Sequence, residues 1–179
     1  MKKIILLPFF ILLLYCKSAK NKVDRENKME EEIEITTKNN SCPQDGTCTI
    51  EILKNKSLAI KKDEFNQIYF QEIVNNKTSI IKFQYQRDNE KGYADGNYRE
   101  EIIFEINNTE TSLNLSDNAL QTTKMLFGRH CFCKGQAGYF NITKGNLSLT
   151  KENEEYKLTL DFLITEVPQI IKTISTSVK

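Results

Sequence analysis

From Ser41 to the C-terminus, apolar and polar residues alternate with a period of two between turn signals set at strand-like intervals. Successive side chains of a strand point to opposite faces, so this pattern commits the chain to half-buried strands in antiparallel sheets. Two turn signals can be tested against each other by parity. A two-residue turn at Asn75-Asn76 sets Phe70 opposite Ile81 and Ile68 opposite Phe83, all on one side. A turn at Asp95-Gly96, the strongest hairpin dipeptide present, pairs Tyr93 with Tyr98, Lys91 with Glu100 and Tyr85 with Ile106. The apolar face of Ile81, Phe83 and Tyr85 then continues onto Ile102, Phe104 and Ile106. A slip of one residue would turn every one of these side chains to the other face.

The C-terminal half repeats the pattern. A turn at Lys144-Gly145 pairs Ile142 with Leu147 and Phe140 with Leu149. A turn at Asn153-Glu154 pairs Leu149 with Leu158 and Leu147 with Leu160, and the face runs on through Tyr156, Phe162 and Ile164. Each half is thus a three-stranded meander with one apolar face, unstable alone and in need of a partner layer. The expected fold is mainly β: an antiparallel β-sandwich of two meanders with one short helix, with a lipocalin-like barrel as the alternative. The helix is expected between the meanders, capped by Ser116-Asp117-Asn118, carrying Ala119, Leu120, Thr123 and Phe127, and ending at Gly128. Residues 47–61 supply one or two further strands through Cys48, Ile50, Ile52, Leu58 and Ile60. Pro168 places the last stretch, Val167 to Val178, at a sheet edge.

Composition narrows the function classes. The chain has 179 residues and a formal net charge of +1, which gives no overall field for gripping nucleic acid. One His and no Trp leave few groups for acid–base chemistry near neutral pH. There is no phosphate-binding loop, no Gly-x-Ser-x-Gly elbow and no aromatic–basic stacking platform.

The N-terminus reads as an address. Met1-Lys2-Lys3 precedes an apolar run from Ile4 to Leu14, the length of a secretory core and short of the roughly 20 residues a bilayer span requires. Leu13-Leu14-Tyr15-Cys16 follows and resembles the lipobox of bacterial lipoproteins, departing from it in the bulky Tyr15. The resemblance covers only about the first sixteen residues. It implies a signal peptide over residues 1–15, lipid on the Cys16 thiol, and a domain outside the cytoplasm held to an envelope membrane, the outer in preference to the inner. Residues 16–41, rich in Lys, Glu and Asn, then read as a lipidated flexible tether, and residues 42–179 as a single β-rich domain.

With Cys16 lipidated, Cys42, Cys48, Cys131 and Cys133 remain for two disulfides in an oxidising compartment. The expected pairing joins Cys42 and Cys48 each to one of Cys131 and Cys133. A local Cys42–Cys48 bridge is the runner-up. Metal binding by His130, Cys131 and Cys133 is disfavoured, because Cys-x5-Cys and Cys-x-Cys are not the spacings of structural zinc sites. No cofactor is expected.

The segment Phe127 to Tyr139 concentrates three glycines, the only His and two cysteines. It is the candidate binding loop, presenting Arg129, His130, Lys134 and Gln136 to an acidic or polar ligand, against the alternative of a glycine-rich crossover stapled by a disulfide. The carboxylates Asp88, Glu90, Asp95, Glu100 and Glu101 are expected at a solvated hairpin tip rather than as a catalytic pair. The functional expectation is a non-catalytic binding or interaction domain for an envelope protein or glycan. Alternatives are a small hydrophobic-ligand carrier with a β-barrel cavity and an envelope hydrolase using His130 or a carboxylate pair.

Overall fold

A computed structural model describes residues 34–35, 42–89 and 97–179. The apolar N-terminal run, Cys16 and most of the expected tether lie outside the described residues, as do Glu90, Lys91, Tyr93 and the Asp95-Gly96 dipeptide. The described chain is mainly β, with ten strands in two antiparallel sheets. Sheet A comprises β1 (Glu34–Ile35), β2 (Gly46–Lys62), β3 (Ile68–Arg87), β4 (Arg99–Asn107), β6 (Leu126–His130) and β7 (Gly138–Asn141) in that order. Sheet B runs β10 (Thr173–Val178), β9 (Glu155–Phe162), β8 (Gly145–Glu152), β5 (Ser112–Ser116). β1 pairs with Ile50 and Glu51 at the free edge of β2, inside the span read as tether.

The two sheets pack face to face as a sandwich. Ile50, Phe83, Ile102 and Phe104 of sheet A share one core with Leu147, Leu149, Leu158, Leu160 and Ile174 of sheet B. Phe127 of β6 and Phe162 of β9 meet across it with ring centroids 5.9 Å apart. The Asn153-Glu154 hairpin has the expected register, with Leu149 opposite Leu158 and Leu147 opposite Leu160. Asn153 (φ 49°) and Glu154 (φ 64°) are both left-handed, the geometry that matches the twist of the flanking strands. β10 forms an edge of its sheet, as Pro168 implied.

Three expectations of local pairing are overturned. Asn75-Asn76 does not reverse the chain, because β3 continues through it and β2 pairs with β3 on both sides of it. Between the pairs Lys54↔Ser79 and Lys56↔Val74, β2 spends one residue and β3 four, so the Asn pair makes an irregular bend. Its turn chemistry is still used: Lys77 N donates to Asn75 Oδ1 at 3.1 Å, and Asn108 Nδ2 donates to Asn76 O at 2.9 Å. The bend sends Ile68 and Phe70 away from Ile81 and Phe83 into a second, smaller core with Leu53, Leu58, Ile80, Ile103 and Leu126. The pairing of Tyr85 with Ile106 is also replaced: Tyr85 opposes Glu100 and Ile106 opposes Ser79, a shift of six residues. Six is even, so the apolar face survives unchanged.

The third correction concerns Lys144-Gly145. β7 belongs to sheet A and β8 to sheet B, so this dipeptide carries the chain between layers. Gly145 adopts φ 138° at the crossing. The helix is a 3-10 helix over Asp117–Thr123 that ends at a left-handed Lys124, before Gly128, which is a buried strand residue of β6. Ser116 makes no side-chain cap; its hydroxyl donates to Asn146 Oδ1 at 2.8 Å.

The far half of the β2–β3 hairpin folds back until Ile68 pairs with Tyr139. Strands β3, β4, β6 and β7 thereby close into a small ring whose interior is the second core. β4 is consequently buried on both faces. Ile102, Phe104 and Ile106 look into the sandwich, and Ile103 looks into the ring.

Candidate functional site

The expected binding loop connects β6 to β7, and of its four candidates only Arg129 and Gln136 meet. Arg129 and His130 are consecutive in β6 and therefore project to opposite faces. Arg129 is buried, with its Nε 3.3 Å from Tyr98 Oη. Its Nη1 donates to Gln136 O at 3.0 Å and Gln136 Oε1 at 3.1 Å, and lies 3.3 Å from Cys133 Sγ. The Tyr98 ring sits between two guanidiniums, Arg87 at 4.8 Å and Arg129 at 5.3 Å from its centroid. Arg129 and Gln136 thus hold the loop shut. Lys134 and Gln136 are exposed, and Phe132 at the tip is 90% exposed.

His130 turns instead to the ring side, where its Nε2 lies 3.0 Å from Glu101 Oε1. Tyr139 donates its hydroxyl to the same oxygen, and Arg99 Nε approaches Glu101 Oε2 at 3.9 Å. Gly128 makes room for this cluster: a Cβ there would stand 2.7 Å from both Glu101 Cγ and Tyr139 Cε1. Burial pushes the Glu101 carboxyl up, but the His130 and Tyr139 hydrogen bonds outweigh it and hold its pKa down at about 2. Burial, reinforced by Glu101, pushes the Tyr139 hydroxyl well above its ordinary range. Through these bonds Glu101 of β4 is tied to His130 of β6 and Tyr139 of β7 on the ring side.

Glu100 and Glu101, expected at a solvated tip, are both buried, and Asp88 is exposed. As neighbours in β4 the two glutamates face opposite ways and cannot act as a carboxylate pair. Glu100 accepts from the backbone N–H groups of Ile170 at 2.7 Å and Ile171 at 2.8 Å, and from Tyr98 Oη at 2.5 Å. Burial and this bond push the Tyr98 hydroxyl up to about 12. On the ring side, Glu105 binds Lys124 Nζ at 2.8 Å, Ser57 Oγ at 2.7 Å and Leu58 N at 2.9 Å.

The cysteines pair locally. Cys42 is joined to Cys48 with Cα atoms 5.8 Å apart, and Cys131 to Cys133 with Cα atoms 5.3 Å apart. The expected cross-bridges are therefore replaced, the first by the runner-up and the second by a bridge between near neighbours. Cα separations of this size lie within the range a disulfide spans. Among the described residues, no group of three or more His, Cys, Asp or Glu side chains is placed to hold a metal ion.

A different surface stands out once register is known. On the outer face of sheet B, the cross-strand partners form rows of small neutral polar residues. Ser116, Asn146, Asp161 and Thr173 make one row, and Asn114, Ser148, Thr159 and Ser175 the next. Ser112, Thr150, Lys157 and Ser177 make a third. Ten of these twelve positions are Ser, Thr or Asn, in a chain that is 27% charged overall. The first two rows are exposed throughout, and a shallow depression of about 250 Å³ lies among Asn114, Ser116, Asn146, Ser148, Thr159 and Asp161. Sequence reading missed this face because it followed the inward half of each alternation. The signal was present in the outward half, as Ser112-x-Asn114-x-Ser116 and Asn146-x-Ser148-x-Thr150.

No protein-family model matches the chain, and comparison with curated proteins and with solved structures finds no match.

Proposed function

We propose that this is a lipid-anchored cell-envelope protein whose β-domain is a non-catalytic binding module for an uncharged, hydroxyl-rich glycan, held on the outer face of sheet B. The observation that carries the reading is the row structure of that face. Ser, Thr and Asn side chains both donate and accept, as the hydroxyl and acetamide groups of a neutral sugar polymer do. A rigid sheet sets them about 4.8 Å apart across strands and about 7 Å apart along them, so little side-chain order is lost on binding. The carrier reading fits less well, because Leu53, Leu58, Ile80, Ile103 and Leu126 fill the ring. A hydrolase fits less well because His130 is bound to a carboxylate held ionised.

The anchor rests on the lipobox resemblance at Leu13 to Cys16 and on the odd cysteine, since the other four pair with one another. Its test is fractionation: the protein is expected in membranes with label from radioactive palmitate, and Cys16→Ser is expected to be soluble and unlabelled. A soluble wild-type protein without label overturns the anchor.

The binding face is tested by co-sedimentation of the protein with two insoluble neutral glycans, chitin and cellulose. Binding to at least one is expected. Ser148→Arg with Ser175→Arg, which are exposed and not cross-strand partners of each other, should weaken it at least about ten-fold, equivalent to 1.4 kcal/mol, with an unchanged melting temperature. Failure to sediment with either glycan, or full binding by the double variant, sinks the reading.

A further inference from the structure

The two disulfides sit in contrasting surroundings. Cys48 is 4% exposed and belongs to the main core, so the Cys42–Cys48 bridge is a staple beneath the start of β2. Cys131 and Cys133 lie on a surface loop, half-buried, on either side of the exposed Phe132. The Arg129 guanidinium lies 3.3 Å from Cys133 Sγ and is fixed there by Gln136 and the Tyr98 ring.

We propose that the Cys131–Cys133 bridge is a reactive disulfide that oxidises the dithiols of other polypeptides, one equivalent per chain. Two features carry this. The bridge lies half-buried on a surface loop, where an incoming thiolate can reach it, unlike the core-packed Cys42–Cys48 bridge, and accessible bridges are the labile class. A guanidinium fixed beside one sulfur stabilises that sulfur as a thiolate and makes it the better leaving group. The partner's thiolate attacks Cys131 Sγ, forming a mixed disulfide as the Cys131–Cys133 bond breaks. The bonding electron pair stays on Cys133 Sγ beside Arg129. The partner's second thiol loses its proton to solvent and attacks its own sulfur in the mixed disulfide, which releases Cys131. The partner loses two electrons, and the protein disulfide gains them. Phe132, between the sulfurs, offers an apolar contact that favours a polypeptide over a small thiol. The inference is independent of the glycan face.

The experiment equilibrates the full chain, oxidised, in glutathione buffers, then alkylates it and maps each cysteine by mass spectrometry. Cys131–Cys133 is expected to be half-reduced at a glutathione ratio at least about ten-fold less reducing than Cys42–Cys48 requires. A synthetic peptide bearing two thiols and neighbouring leucines should be oxidised in one equivalent, faster than dithiothreitol at the same thiolate concentration. Equal resistance of the two bridges overturns the proposal, and a faster reaction with dithiothreitol overturns its polypeptide preference. In the reduced protein, the pH midpoint for alkylation of Cys133 should fall below the ordinary thiol value of about 8.5 and rise in Arg129→Gln, which removes the charge. If that variant does not fold, the wild-type midpoint decides alone: a value at or above about 8.5 removes the role of Arg129.

Discussion

Glu101 is held in a pocket that exists only because β6 carries a glycine at residue 128. A carboxylate there collects a tyrosine hydroxyl, an imidazole and a guanidinium, and the three outweigh the cost of burying it. The folded-state pKa of about 2 lies below the ordinary 4.5, so folding is favoured by the ionised form. The stability this contributes is complete above about pH 4.5 and is lost as pH falls toward 2. Glu105, whose carboxyl is lowered by Lys124 and Ser57 against the opposing effect of burial, acts in the same direction. Thermal melts should therefore be flat from neutral pH to about 4.5 and fall steeply below it. In Glu101→Gln the fall should be shallower and the neutral-pH melting temperature lower. An equal acid slope in that variant would remove Glu101 from the account. None of this was legible beforehand, since the chain shows Glu101 only as one of several charged residues near a turn signal.

Among the elements, the β8–β9 hairpin is the one whose register could be read outright. Its turn is two residues long, and both flanks alternate cleanly from Leu147 to Leu149 and from Tyr156 to Phe162. The structure adds that Glu154 is held at φ 64°, a region costly for any residue with a Cβ. Glu154→Gly is expected to stabilise the domain by about 1 kcal/mol, measured by urea unfolding, despite losing the exposed ion pair to Lys151. Stability unchanged or lowered would show that the turn is not strained. The β2–β3 hairpin was misread because Asn75-Asn76 has turn chemistry whether the chain reverses or only bends. The choice is made by β2, which pairs with β3 on both sides of the Asn pair. A local rule cannot see a partner twenty residues away.

At the scale of the whole molecule, the sandwich is tied together by one buried carboxylate. Glu100 of sheet A accepts the backbone N–H groups of Ile170 and Ile171, in the segment between β9 and β10 of sheet B. Removing it leaves one buried donor, Ile171 N–H, and one half-buried donor, Ile170 N–H, without a partner, so Glu100→Ala should cost about 3 kcal/mol by urea unfolding. Glu100→Gln, which keeps one acceptor, should cost less. A loss under 1 kcal/mol in Glu100→Ala would mean that water reaches these amides.

The sequence by itself determined the fold class, the inward face of nearly every strand and the edge position of the last one. These follow from side-chain alternation, and alternation survives an even slip in register. Only the tertiary structure decided that β7 and β8 part into different sheets, that the long hairpin closes a ring over a second core, and which cysteines meet. Those depend on contacts between residues far apart in the chain, where hydrogen-bond partners compete and no short stretch of residues records the winner.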